Sequence, residues 1–121
     1  MKREDVIRFI SDYFGVEGEH LWAAFPNYMV FRNPKNKKWF GLIGDVERKK
    51  LHLEGEGKVD LLVIKCDPVM TGSLIRTGGC YLPAYHMNKE KWISVLLDGS
   101  ANADEVENLI HEAYDIINQN K

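Results

Sequence analysis

The run PAYHMNKEKWISV, residues 83–95, holds the densest set of chemically versatile side chains in the sequence. Between His86 and Val95 stand an imidazole, the amide of Asn88, the ammonium groups of Lys89 and Lys91, and the indole of Trp92. His86 can donate, accept or change its charge near neutral pH. Asn88 can bond neighbouring backbone and set a turn. Lys89 is a compact cation suited to an anion, and Trp92 offers a flat face for stacking or a large contribution to a core. With Tyr85 beside them and Lys65 earlier in the chain, these groups could bind a phosphate and stack a base, a combination that commonly holds single strands. The same residues also suit a structural end. Asn88 would cap a turn through KEKW, Lys89 and Lys91 would be solvated, Trp92 would anchor a strand, and His86 would bond a backbone carbonyl. A pocket for a partner or a small molecule is a third use.

Other chemistry finds less support. His20, His52, His86 and His111 are far apart and form neither HxH nor HExxH, so no metal is expected. His111, among polar helix positions, reads as solvent-facing. Cys66 and Cys80 are not a CxxC pair, and no second Cys/His pair completes a zinc set. They read as reduced, partly buried thiols, although a short helix between them could bring them together as a redox pair. GEG at 55–57 lacks the Lys-Ser/Thr of a phosphate-binding loop. No carboxylate pair is recognisable as acid and base, and no Ser, Cys and His spacing points to nucleophilic catalysis. The expectation is a non-catalytic chain without a cofactor.

The elements that must position these groups follow from patterning. The 121 residues are 45% hydrophobic and 28% charged, which fits one globular domain, residues 1–121, with its own core. No apolar run approaches the ~20 residues of a membrane span. The charged start MKREDVIRF lacks a signal core, so a cytoplasmic protein with no membrane partner is expected. REDVIRFISDYF at 3–14 has helical spacing and ends before Gly15. NYMVFRN (27–33) and KWFGLIGDV (38–46) flank the turn tract NPKNK and read as a hairpin. Residues 47–58 read as an exposed loop with room for a short edge strand, and VDLLVIKC (59–66) as a central strand. Asp67 and Pro68 open a short helix ending at Gly78-Gly79, with Val69, Met70, Leu74 and Ile75 on one side. YLPAYHM is extended or looped, with a short strand near Tyr81, and WISVLLDG (92–99) is another strand. Asn102 and Glu105 resemble a capping box for a last amphipathic helix running to Asn120, with Val106, Leu109, Ile110, Ala113 and Ile117 on its buried face. The order α-β-β-β-α-β-α predicts an α+β two-layer sandwich: a mainly antiparallel sheet, terminal helices on one face, the other face partly open. Trp22, Phe25, Tyr28, Phe31, Trp39 and Phe40 then pack in the core or on a sheet face, some lining a shallow groove.

Charge is unevenly spread. The net charge is −2 and the pI near 6.1, which is not the footprint of a strong nucleic-acid binder. Yet Arg32 to Lys58 carries eight Lys/Arg against four Asp/Glu, while Asp98 to Lys121 carries six acids against one base. One end could attract phosphate and the other repel it. A soluble surface with scattered charge reads the same way.

Several strings carry a family resemblance: LPAYHMNKEKWISVLLDG with KCDP at 65–68 before it, WAAFPNYMVFRNPKNKKWFGLI at 22–43, and AYDII at 113–117. They resemble the MmcQ/YjbR family of small bacterial proteins over nearly the whole chain, with YHMNK-x-x-W the most specific element. LVIK before Cys66 and the thiol of Cys80 depart from the family pattern. The resemblance implies a CyaY-like two-layer fold and a DNA-binding role, with no enzymatic reaction. The expected partner is DNA, bound weakly and in a salt-dependent way. Lys35, Lys37, Lys38, Arg48, Lys49 and Lys50 would contact phosphates, and Lys65, Tyr85, His86, Asn88, Lys89 and Trp92 would form a more specific surface. A protein-interaction domain using the open sheet face, or a binder of an anionic small molecule, are the alternatives. The chain itself is read as a monomer.

Overall fold

The computed structural model describes residues 1–119. Five strands form one sheet: Met29–Arg32 (β1), Trp39–Glu47 (β2), Lys58–Lys65 (β3), Tyr81–Pro83 (β4) and Trp92–Leu96 (β5). Their spatial order is β1-β2-β3-β5-β4, with every neighbouring pair antiparallel. Three α-helices, Arg3–Phe14 (α1), Pro68–Thr77 (α2) and Ala103–Gln119 (α3), contribute to the larger apolar cluster. The fold is the α+β two-layer sandwich that the patterning predicts. The predicted last residue of the C-terminal helix, Asn120, lies outside the described residues. Among the described residues, no helix is long and apolar enough to cross a membrane.

The helices begin and end where their local chemistry requires. In α1 the backbone N–H of Lys2 donates to Asp5 Oδ2 at 3.0 Å, and Gly15 closes the helix at φ 65°, a left-handed conformation that glycine adopts without strain. Asp67 caps α2 by accepting from Val69 N, and Pro68 occupies the first position. Asn102 Oδ1 accepts from Glu105 N at 3.1 Å, the asparagine half of the predicted capping box.

Alternation sorts side chains between the two sheet faces. Leu62 and Ile64 of β3, and Ile93 and Val95 of β5, join the cluster under the helices. Val59, Leu61 and Val63, with Trp92 and Leu96, join a second cluster on the opposite face. Phe31 and Phe40 are fully buried on the helix side with Val6, Ile10 and Ile110. Each such side chain contributes roughly 1.5–3 kcal/mol by leaving water.

Three expectations change. Residues 47–58 contain no edge strand; Arg48–Leu51 forms a 3-10 turn closed by His52 at φ 59°. In α2, Met70 and Leu74 pack inward and Thr71 is buried, whereas Val69 is 78% exposed and Ile75 also faces out. Ten residues are too few to wrap an apolar stripe around the sheet's short edge strand. His111 is half-buried, with its ring 4.3 Å from Tyr13, 5.2 Å from Phe14 and 5.6 Å from Phe9. It fills the seam between α1 and α3 as one more flat ring. The reading of the two cysteines as partly buried thiols holds, and the redox-pair alternative does not, because they are held apart: Cys66 N bonds Lys91 O, and Cys80 O accepts from Leu96 N. Five residues of extended chain separate those partners, about 17 Å, against the ~4.4–6.8 Å between Cα atoms that a disulfide needs.

The hairpin tip is tied to the end of α3. Asn33 is fully buried; its Nδ2 donates to Asn118 Oδ1 at 3.2 Å, and its Oδ1 accepts from Lys35 N at 2.8 Å. Asn36 Nδ2 donates to Ile117 O at 2.9 Å, satisfying a carbonyl that the helix end leaves over. Replacing Asn33 by Ala removes two of these bonds at a dry site. A loss of about 1–3 kcal/mol is expected in urea unfolding, with the slope unchanged; a loss under about 0.5 kcal/mol would contradict this role.

Candidate functional site

The second sheet face has loops for cover. Ala84, Tyr85 and Met87 pack onto the cluster of Val46, Val59, Leu61, Val63, Trp92 and Leu96, as do Leu51 and Leu53 from the turn after β2. Trp22 stands edge-on to both Trp39 and Tyr28, at 6.0 and 6.2 Å. The face expected to be partly open is therefore partly roofed, and the 84–91 loop is part of the roof.

That use accounts for most of the side chains in YHMNKEKW. Tyr85 N donates to Ser94 Oγ at 3.0 Å, satisfying a hydroxyl whose residue is wholly buried. Asn88 Oδ1 accepts from Glu90 N at 2.9 Å and Lys91 N at 3.1 Å, the turn cap that its type predicts. Lys89 Nζ donates to Ala84 O at 2.9 Å, drawing the loop closed. Trp92 is buried at the start of β5. His86 is exposed, at φ 60°, with its ring 4.0 Å from that of Tyr85. Among the described residues, every buried side-chain nitrogen or oxygen has a partner.

The basic residues divide between the two ends of the sheet. β2 is nine residues long, about 27 Å of extended chain. Lys35, Lys37 and Lys38 precede it, whereas Arg48, Lys49 and Lys50 follow it, so the six do not form one patch. Lys49 pairs with Glu47 at 3.7 Å. Lys65 ends β3 opposite Trp92, on the same end as Lys38, with its Nζ 5.3 Å from the Trp92 ring centroid. Burial holds the Lys65 ammonium below its usual pKa, and the positive charges of Lys91 and Lys38 add to that. Lys65 thus lies beside an indole and feels two cations from the starts of two other strands. Lys91 reads from sequence as one more solvated base; only the register of β5 against β3 places it beside Lys65.

Nucleophilic chemistry gains nothing from the thiols. Burial pushes both Cys66 and Cys80 up, leaving little thiolate at neutral pH. Among the described residues, no three His, Cys, Asp or Glu side chains are grouped to hold a metal ion.

The YjbR family profile matches residues 12–116. The chain belongs to the YjbR family. It is 40% identical over 114 residues to the uncharacterised protein YyaQ of Bacillus subtilis (strain 168), covering 94% of this chain and 96% of YyaQ. A crystal structure of a Pseudomonas syringae protein superposes with a TM-score of 0.91 at 37% identity, covering 96% of this chain and 98% of the other. A Deinococcus radiodurans crystal structure, at 18% identity and a TM-score of 0.75, shares the fold over 98% of this chain and 80% of its own. In this YjbR chain the signature string YHMNK-x-x-W builds the roof over the second sheet face: the turn cap, the Lys89 tie and the Trp92 anchor are its members.

Lys89→Ala should therefore loosen the roof before it unfolds the protein. Hydrogen exchange is expected to quicken at residues 84–87, while global stability falls by only about 0.5–1.5 kcal/mol. Unchanged exchange in that loop would show that the Lys89–Ala84 bond does not hold it.

Proposed function

We propose that this chain is a non-catalytic, cytoplasmic module that binds nucleic acid weakly, with Lys38, Lys65 and Lys91 at the centre of the contact. The observation that carries the proposal is Lys65, 5.3 Å from the Trp92 ring, at the end of the sheet where Lys38 and Lys91 also lie. A polyanion relieves their mutual repulsion, and phosphate contacts supply most of the affinity of non-specific complexes. Lys35 and Lys37, on the exposed hairpin tip, extend the same end. The Asn33 and Asn36 ties to α3 hold that tip in place. Arg48, Lys49 and Lys50, at the far end of β2, provide a secondary contact diluted by Glu47.

In this reading His86 and Lys89 act through the loop, by keeping Trp92 and Lys65 in register. Fluorescence anisotropy with labelled single- and double-stranded oligonucleotides is the test. Binding at low salt is expected with a Kd of about 10–100 µM, falling steeply as salt rises. The Lys38→Ala, Lys65→Ala and Lys91→Ala variants should each weaken it and flatten the salt slope by about one unit or less. No binding at ~100 µM protein in low salt would end the proposal.

A further inference from the structure

A concavity lies where the loop preceding β1 meets the loop after β4. It measures about 260 Å3 and is lined by Phe25, Asn27, Tyr28, Asp45, Lys50 and Tyr85, among others. Its wall exists because β2 has a glycine at its centre. A Cβ on Gly44 would meet the Tyr28 ring at 2.9–3.0 Å, so only glycine lets that ring lie on the strand. Phe25 stands 5.2 Å from Tyr28, tilted by 46°, and is 55% exposed. Burial, then Tyr85, then Asp45 push the Tyr28 phenol up, so it stays a protonated donor beside a second phenol and a carboxylate.

The charges in this cleft are largely matched. Asp45 accepts from Asn27 Nδ2 at 3.0 Å and pairs with Lys58 at 3.8 Å. Glu47 pairs with Lys49 at 3.7 Å. Lys50 is exposed at the same place. A free anion would want more positive charge than this, a metal would want unpaired carboxylates, and an alkyl chain would leave the phenols and Asp45 without use. Aromatic walls with donors and acceptors between them suit a flat ring that is polar at its edge. The size suits one ring system rather than a drug-sized ligand.

We propose that the cleft between Phe25, Tyr28 and Tyr85 binds a single nucleobase, with Lys50 placed to meet a phosphate attached to it. The base comes either from an unpaired position in a strand or from a free nucleotide. The site is separate from the lysine edge, at the other end of β2, and stands or falls apart from it.

The test is a 15N chemical-shift titration of the whole chain with adenosine, adenosine monophosphate and a short single-stranded oligoadenylate. Adenosine should shift the amides of residues 25–28, 44–47 and 85 saturably, with a Kd on the order of 0.1–1 mM, an ordinary ligand efficiency for a molecule this small. Phe25→Ala, at an exposed position, should leave the sheet's spectrum unchanged and weaken adenosine at least ~5-fold. Lys50→Ala should leave adenosine unchanged and weaken the monophosphate roughly 2- to 5-fold. Free nucleotide as the source predicts that the monophosphate binds at least as tightly as the oligonucleotide; a strand as the source predicts the reverse. Absence of saturable shifts at about 10 mM adenosine, or equal affinity in Phe25→Ala, overturns the proposal. Oligoadenylate shifts confined to the Lys38, Lys65 and Lys91 end, with no adenosine shifts at the cleft, overturn it while leaving the lysine edge intact. Adenosine saturating the cleft without any oligonucleotide binding supports it and removes the lysine edge instead.

Discussion

β3 cannot be left uncovered on either side. Leu61, Leu62, Val63 and Ile64 are consecutive and all buried, so successive side chains need a dry environment above and below the sheet. The helices meet that need on one face. On the other, only loops are at hand, and the segments around residues 22–28, 51–53 and 84–87 are recruited. Much of what looks like a site in the sequence is the apparatus for holding those loops down. Asn88 and Lys89 spend their polar atoms on backbone, and Ser94 turns a buried hydroxyl into an anchor for Tyr85.

Most of the fold could be read from the sequence because its elements are locally consistent. Gly15, Asp67-Pro68 and Asn102 mark helix boundaries by chemistry that needs no tertiary partner, and the apolar run 59–66 has no stable place except the middle of a sheet. Local pattern misleads where tertiary contact overrides it. His111 looks polar by type but packs as an aromatic ring once α1 lies beside α3. Val69 and Ile75 look buried by type but extend past the edge of the layer. The site was legible only in part. The residue types in YHMNKEKW stand out, but their partners are Ala84 O, a backbone atom, and Ser94 Oγ, on a residue whose pattern marks only a strand. Lys91 gains its meaning from register, which depends on pairing across the sheet. Gly44 did leave a signal: a glycine inside a strand pattern marks a close approach, here that of Tyr28.

The charge asymmetry acquires a geometry once the strands are placed. The acids of residues 98–121 lie mostly on α3, and Lys38, Lys65 and Lys91 gather where β2 and β5 begin and β3 ends. A molecule with net charge −2 can still present a locally cationic end. The depressed Lys65 ammonium also sets a sign. Its folded pKa lies below the unfolded value, so protonation opposes folding, and stability from this group rises as pH climbs through that depressed pKa.

The roof over β3 can be challenged at Ala84, which is 1% exposed beneath the loop. Urea unfolding of Ala84→Asp, compared with the parent chain, places an unpaired carboxylate in that contact. A loss of at least ~2–3 kcal/mol is expected if the loop seals the second face. A loss within about 0.5 kcal/mol would mean that the loop lies loosely over wet side chains and that the second face is not a core.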